Sequence, residues 1–213
     1  MRRYILPILN VAIVILGVIG IVIMLTRKAA SGSGLTSDGF ENLKYYTVLS
    51  NILCTLVAAW GSVFYIKEKE NAPSQPLIIM KLISAAAVGL TFVIIAFFLQ
   101  PLYKDLNLYD GSNLYFHLII PVLAMIEFVL TPGRIPFRYT VISAVPTLIY
   151  GTCYLVNILV NGVGQWPDSN DWYGFVNWGL PIGIVIFAVI VLMSFGMSCL
   201  LRGFNKLAHR FIK

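Results

Sequence analysis

The segment YILPILNVAIVILGVIGIVIMLT, residues Tyr4–Thr26, contains 23 residues and no charged side chain. A helix rises about 1.5 Å per residue, so about 20 apolar residues cross the hydrocarbon core of a bilayer. The segment is therefore long enough to span a membrane as one helix. Its basic flank, Arg2 and Arg3, also suits a signal peptide, but the run exceeds the roughly 7 to 15 apolar residues of such a peptide. The length favours an uncleaved first helix.

Five further segments have the same character, so the sequence predicts an all-α protein with six transmembrane helices. The predicted spans cover residues 4–26, 43–66, 77–99, 114–130, 139–159 and 178–201. The composition agrees, because 59% of the 213 residues are hydrophobic and 11% are charged, whereas soluble domains have about 25% charged residues. The connecting segments are too short to bury a separate core, so we expect one membrane domain over residues 1–213.

Lysine and arginine are unevenly distributed between the two sets of connecting segments. With the N-terminus inside, only four of the fifteen basic residues fall outside, namely Arg27, Lys28, Lys44 and Lys104. Cytosolic segments retain basic residues, so we expect both termini in the cytosol. This distribution accounts for the net charge of +6 without a nucleic-acid partner. The basic tail, residues 202–213, is predicted to lie along the inner membrane surface.

The three cysteines, Cys54, Cys153 and Cys199, all fall inside predicted spans. Their spacing is not that of a zinc site or a disulfide framework. The sequence therefore predicts no metal and no cofactor.

Polar side chains follow one face of the predicted second helix. A polar residue inside a span costs free energy unless it faces protein or water, so such residues are the first candidates for function. Lys44, Thr47, Ser50, Asn51 and Cys54 are spaced to share one helical face, which is predicted to face the bundle. Small polar residues also serve simply as hydrogen bonds between helices, and this is the structural interpretation of Ser50, Asn51 and Cys54.

The fourth predicted span carries His117 and Glu127, the only histidine and the only carboxylate inside any predicted span. A lone histidine in a span serves either as a hydrogen-bonding group or as an acid–base group. Glu127 lies about 15 Å further along the helix, too far away to serve His117. We expect Glu127 to pair with Arg134, Arg138 or Lys81 near the inner headgroups. The alternative is a proton path.

Thr47 and His117 lie at the same predicted depth. The second and fourth helices both run inward, and the two residues lie about 6 Å and about 5 Å below the outer boundary. A threonine hydroxyl becomes a nucleophile when a base removes its proton, and neutral imidazole is the usual base near neutral pH. Such a pair could attack an ester carbonyl within the outer leaflet.

A hydrolase of this kind also needs a group that orients the histidine and donors for the oxyanion. Asn51 lies one turn below Thr47, and Asn113 lies one turn above His117. The candidate supporting residues in the outer half of the bundle are Ser50, Asn51, Asn113, Tyr150, Asn157 and Asn177.

Several short motifs follow one another along most of the chain. They are YYTVLSN at residues 45–51, HLIIP at 117–121 with Glu127 after it, TP at 131–132, PTLIY at 146–150 and WYGFVN at 172–177. In this order they resemble the androgen-induced, FAR-17a-like membrane proteins and their bacterial relatives. The chain departs from the bacterial branch at Phe116, where a second histidine is common, and its outer loop has fewer prolines.

The resemblance implies six spans with cytosolic termini, and with the bacterial relatives we expect a bacterial cytoplasmic membrane. It also implies an intramembrane threonine hydrolase that cleaves fatty acid esters of hydroxy fatty acids, with Thr47 as nucleophile and His117 as general base. The expected partner is then a membrane lipid or a lipid-ester substrate. The alternatives are a non-catalytic carrier or receptor for a lipid or small solute that uses the same polar pocket, and a purely structural membrane protein.

Overall fold

The computed structural model describes residues 2–27, 38–68, 73–165 and 169–211, and this part of the chain contains helices but no strand. Six of its helices are long and apolar enough to cross a membrane. They are α1 (Arg2–Thr26), α2 (Tyr46–Lys67), α3 (Gln75–Leu102), α4 (Ser112–Leu130), α5 (Arg138–Asn161) and α6 (Leu180–Phe211). The predicted fold class, an all-α bundle of six transmembrane helices, is confirmed. The chain is a multi-pass membrane protein.

The helix bounds agree with the predicted spans to within three residues, except at the C-terminal end of α6. The start of α2 lies at Tyr46 because Gly39–Lys44 forms a separate 3-10 helix and Tyr45 is extended. At its other end α6 continues without a break to Phe211. The prediction that residues 202–213 lie along the membrane surface is therefore wrong for the described residues of this tail, since they extend the sixth helix.

The helix α3 lies at the centre of the bundle. It contacts α2, α4, α5 and α6, while α1 packs between α2 and α4. The middle of α3, residues 84–89, has the sequence SAAAVG, and these small side chains let neighbouring helices approach closely. A β-carbon at Gly89 would lie 3.1 Å from the sulfur of Met125 on α4 and 3.2 Å from that of Met197 on α6. Both helices therefore pack directly against the α3 backbone.

We call the end of the bundle where α2, α4 and α6 begin the upper end, and the opposite end the lower end. Two contacts join connecting segments at the upper end. Arg27, after α1, forms an ion pair of 2.8 Å with Asp110, before α4. The backbone N–H of Tyr46 donates to the hydroxyl of Tyr173, which lies between α5 and α6, at 2.8 Å.

At the lower end, α6 caps α4. The last carbonyl groups of a helix have no partner within the helix. The Asn205 amide nitrogen lies within 3.2 Å of the carbonyl oxygens of Phe128, Val129 and Thr131, and the His209 ring nitrogen donates to the Thr131 carbonyl at 2.9 Å. These contacts explain why the helical conformation of α6 extends beyond the predicted span.

Candidate functional site

Thr47 is the second residue of α2 and lies at the upper end of the bundle. The first N–H groups of a helix have no partner within it. Accordingly, the Thr47 amide makes no hydrogen bond within the described part of the chain, and the same holds for its hydroxyl. The residue is half-buried. Thr47 thus presents two free polar groups at the positive end of a helix dipole.

Asn51, one turn below Thr47, joins α2 to α4. Its side chain is fully buried, and its amide nitrogen donates to the carbonyl oxygens of Thr47 at 2.8 Å and Phe116 at 3.0 Å. Ser50 also donates to the Thr47 carbonyl, at 3.0 Å. The helices that carry Thr47 and His117 are therefore in direct contact, and one side chain holds residue 47 beside residue 116.

His117 lies on a π-helical turn, Tyr115–Ile119, near the start of α4. Pro121 has no N–H to donate to the His117 carbonyl, which breaks the regular pattern of hydrogen bonds here. The His117 ring is buried, and its Nδ1 donates to the backbone carbonyl of Leu108 at 2.6 Å. Because a carbonyl only accepts, Nδ1 carries the hydrogen, and Nε2 of the neutral ring keeps its lone pair for accepting a proton.

The Leu108 carbonyl orients the His117 ring. The sequence could not reveal this group, because every residue has a backbone carbonyl and nothing in the sequence distinguishes the one that meets the ring. The rings of Tyr109 and His117 also pack in a T-shaped arrangement, with centroids 6.5 Å apart. Within the described residues no hydrogen bond joins the His117 ring to Thr47. The two side chains lie on touching helices but not in hydrogen-bond contact.

The other predicted supporting residues separate into two groups. Tyr150 lies near the start of α2, because its hydroxyl donates to the Lys44 carbonyl at 2.6 Å. Asn157 donates to Asn170 at 3.2 Å, and Asn177 is exposed just before α6. Asn113 is half-buried at the top of α4, and its side chain makes no hydrogen bond among the described residues. These three asparagines lie at the upper end, but no hydrogen bond links them to Thr47 or His117.

An aromatic cluster covers the upper end beside the start of α2. Tyr150 is a predicted supporting residue, and the sequence motifs supply most of the other members, but the sequence does not predict that these rings meet. Besides the Tyr173 bond to the Tyr46 amide, the Trp172 indole donates to the Tyr150 hydroxyl at 3.1 Å. The Lys44 ammonium lies 5.5 Å from the centre of the Tyr45 ring and 6.0 Å from that of Trp172. The segment before α6 is thereby fastened to the helix turn that carries Thr47. The members of the cluster are Tyr45, Tyr46, Tyr150, Tyr154, Trp172, Tyr173 and Phe175.

Asp171 gives the segment before α6 its shape. Its carboxylate accepts hydrogen bonds from the Tyr154 hydroxyl and from the backbone N–H groups of Phe175 at 2.9 Å and Val176 at 3.0 Å. Next to it, burial raises the pKa of Tyr173 well above its ordinary value. Tyr173 therefore stays neutral at physiological pH and holds the Tyr46 amide through its hydroxyl oxygen.

A second polar centre lies within the lower half of the bundle. The Lys81 ammonium is 2.6 Å from Glu127 Oε1 and 2.8 Å from Asn10 Oδ1, and the Asn10 amide donates to Glu127 Oε1 at 2.8 Å. The predicted pairing of Glu127 with Lys81 is confirmed. Its predicted position near the headgroups stays a prediction, while the neighbouring helices, including the α2 backbone at Gly61, enclose the pair and leave each side chain less than 5% exposed. Asn10 could have been recognised as the one amide in the apolar run of residues 4–26.

Comparison of the chain with known protein families, with curated proteins and with solved structures gave no match.

Proposed function

We propose that the protein is an intramembrane hydrolase of lipid esters, with Thr47 as nucleophile and His117 as general base. The Asn51 bridge carries this proposal, because one buried side chain holds the two helices together at the level of both residues. The substrate class is a fatty acid ester of a hydroxy fatty acid, as the motif resemblance implies. In this proposal the upper end faces the outside of a bacterial cytoplasmic membrane, and both termini are cytosolic.

The proposed reaction begins when Nε2 of His117 accepts the proton of the Thr47 hydroxyl. The threonine oxygen then attacks the ester carbonyl carbon, and the hydroxy-lipid leaves with the proton from His117, so that the acyl group remains on Thr47. Water, activated by the same imidazole, then releases the fatty acid and restores the threonine. The Leu108 carbonyl holds the histidine in the tautomer that this sequence requires.

The Thr47 amide supplies a donor for the oxyanion. It has no hydrogen bond among the described residues and lies in the first turn of α2, where the helix dipole favours negative charge. Hydrogen bonds between catalytic groups are often long before substrate binds, so the missing contact between Thr47 and His117 is compatible with this mechanism. The acyl chain is proposed to reach the site sideways from the bilayer, because Thr47 is only half-buried in the first turn of a membrane-spanning helix.

Hydrolysis of a branched lipid ester, together with labelling by a fluorophosphonate, tests the proposal on the purified protein. We expect Thr47→Ala and His117→Ala each to lower the rate about 10²-fold or more. Thr152→Ala is the matched control, because Thr152 is a span threonine whose hydroxyl donates only to the Leu148 carbonyl of its own helix. Equal labelling of Thr47→Ala and the unmodified protein would exclude Thr47 as nucleophile.

A carrier or receptor for a lipid or small solute is the second candidate function. It is favoured by the Lys81–Glu127 centre, because polar groups then lie in both halves of the bundle. This alternative predicts that the purified protein binds the lipid without cleaving it. Because this carrier would use the same polar pocket, Thr47→Ala should weaken binding of the lipid, while neither protein releases a hydrolysis product.

A further inference from the structure

The ion pair in the lower half has unused hydrogen-bonding capacity. Three donors reach Glu127, namely Lys81 at 2.6 Å, Asn10 at 2.8 Å and Thr131 at 3.2 Å, and all of them bind Oε1. Glu127 Oε2 accepts no hydrogen bond from any described residue. The Lys81 ammonium has three hydrogens, and Glu127 Oε1 and Asn10 Oδ1 use two of them. Each charged group can therefore make one more bond.

A small cavity lies against these groups. Its volume is about 10 Å³, which is the space that the centre of one water molecule needs. Small side chains leave this space open, because Ala58, Ala85 and Ala124 form part of its wall. The other lining residues are Asn10, Ile13, Cys54, Val57, Lys81, Ser84 and Glu127.

The lack of a side chain at Gly61 leaves room for the polar groups beside the cavity. A β-carbon at this residue would lie 2.4 Å from Asn10 Oδ1 and 2.7 Å from Lys81 Nζ. Both distances are shorter than any normal contact, so any side chain here would displace the amide or the ammonium. The backbone of α2 thus approaches the ion pair closely without covering it.

We infer that this cavity is a binding site for one water molecule, which donates to Glu127 Oε2 and accepts from the third N–H of Lys81. Its size excludes a larger ligand. Charge excludes an ion, because a cation would face the Lys81 ammonium and an anion would face the Glu127 carboxylate. Empty cavities in proteins are apolar, whereas this one offers the two to four polar partners that a buried water requires.

The water completes the hydrogen bonding of the buried ion pair. A buried ion pair is stable only when its remaining donors and acceptors are also satisfied. The hydration site lies between α1, α2, α3 and α4, each of which contributes lining residues. It is separate from Thr47 and does not depend on the proposed hydrolysis.

Radiolytic hydroxyl labelling of the full-length protein in ¹⁸O water tests this site, because a bound water generates the radical next to the side chains it contacts. We expect label on Cys54 and Ile13, which line the cavity, and none on Leu82 or Phe128, which are equally buried away from it. Absence of label on both Cys54 and Ile13 would overturn the inference, as would equal label on Leu82 and Phe128.

A matched pair of variants tests the same point by filling the cavity. Ala85→Val adds two methyl groups to the cavity wall, whereas Ala86→Val adds them to its fully buried neighbour, which does not line the cavity. We expect loss of the Cys54 label in Ala85→Val and its retention in Ala86→Val. Retention of the full label in a folded Ala85→Val protein would contradict the water site. If that variant does not fold, the inference is tested by the unmodified protein alone, in which label on Cys54 and Ile13 is compared with label on Leu82 and Phe128.

Discussion

Replacing Lys81 with methionine removes one charge of the buried pair while keeping a side chain of similar length. Glu127 then remains enclosed, less than 5% exposed, with only the Asn10 and Thr131 donors on Oε1. Removal of one partner of a buried ion pair costs about 3–5 kcal/mol. Because two of three donors remain, we expect Lys81→Met to lower the free energy of unfolding by about 3 kcal/mol, at the lower end of that range.

Removing the carboxylate instead of the ammonium is expected to lower the free energy of unfolding further. Among the described residues, Glu127→Leu leaves the buried Lys81 ammonium with the Asn10 oxygen as its one hydrogen-bond partner, so we expect a loss near the upper end, about 5 kcal/mol. The double variant removes both charges and leaves apolar side chains, which is often nearly neutral for buried pairs. The losses of the two single variants should therefore not add.

Reversible unfolding in mixed micelles, followed by circular dichroism, measures these free energies. The Arg27–Asp110 pair offers a control cycle, because its side chains are 50% and 53% exposed and its coupling should be much smaller. A double-variant loss equal to the sum of the single losses would refute the reasoning. So would a Lys81→Met protein as stable as the unmodified one.

The remaining predictions concern the site and the two ends of the bundle. Asn51→Leu removes the bond from α2 to the Phe116 carbonyl of α4 and the bond to the Thr47 carbonyl, so we expect kcat/KM for the ester to fall about 10²-fold while His117 stays in place, and an unchanged value would exclude a positioning role. Asn205→Leu removes the amide donor from the Phe128 and Val129 carbonyl groups while His209 still binds that of Thr131, and thermal unfolding should show a loss of about 1–3 kcal/mol, whereas no loss would contradict capping by α6. The hydrogen bond from Arg27 holds the pKa of Asp110 below its ordinary 3.8, so the ionised pair stabilises the fold above that value, and this stabilisation is lost as the pH falls through the lowered pKa. The melting temperature of Asp110→Asn should therefore lie below that of the unmodified protein near neutral pH and equal it in acid, and a gap that persists in acid would contradict this origin.

The six spans could be predicted because membrane crossing depends on a local property, the length of an apolar run. The end of α6 depends instead on contacts between distant residues. Asn205 and His209 of α6 bind the last carbonyl groups of α4, and α6 continues as a helix to Phe211. These contacts leave no signal in local composition, so the predicted end of the sixth span lies too early.

The candidate site was predictable in its side chains but not in its backbone groups. The spacing of polar residues predicts that Thr47 and Asn51 share one face of α2. The number of residues between each predicted helix start and the residue itself predicts that His117 lies at the same depth as Thr47. The Leu108 carbonyl and the free Thr47 amide are backbone groups, and only the course of the chain decides where they point. Asn10 is different, because an amide in an apolar span demands a partner and its role could have been inferred.

The two polar centres share α4, and this helix links the stability of one to the geometry of the other. Apolar packing gives little preference for axial position in a bilayer, because lipid tails are as apolar as the helices. Polar contacts therefore fix α4 at three levels: Asn51 of α2 at the upper end, Lys81 of α3 in the lower half, and Asn205 of α6 at its last turn. A slip by one residue would move His117 by about 1.5 Å relative to Thr47, and a misplacement of that size costs a catalyst about 10²-fold in rate. The buried charges of the lower half thus help to set the register on which the proposed chemistry at the upper end depends.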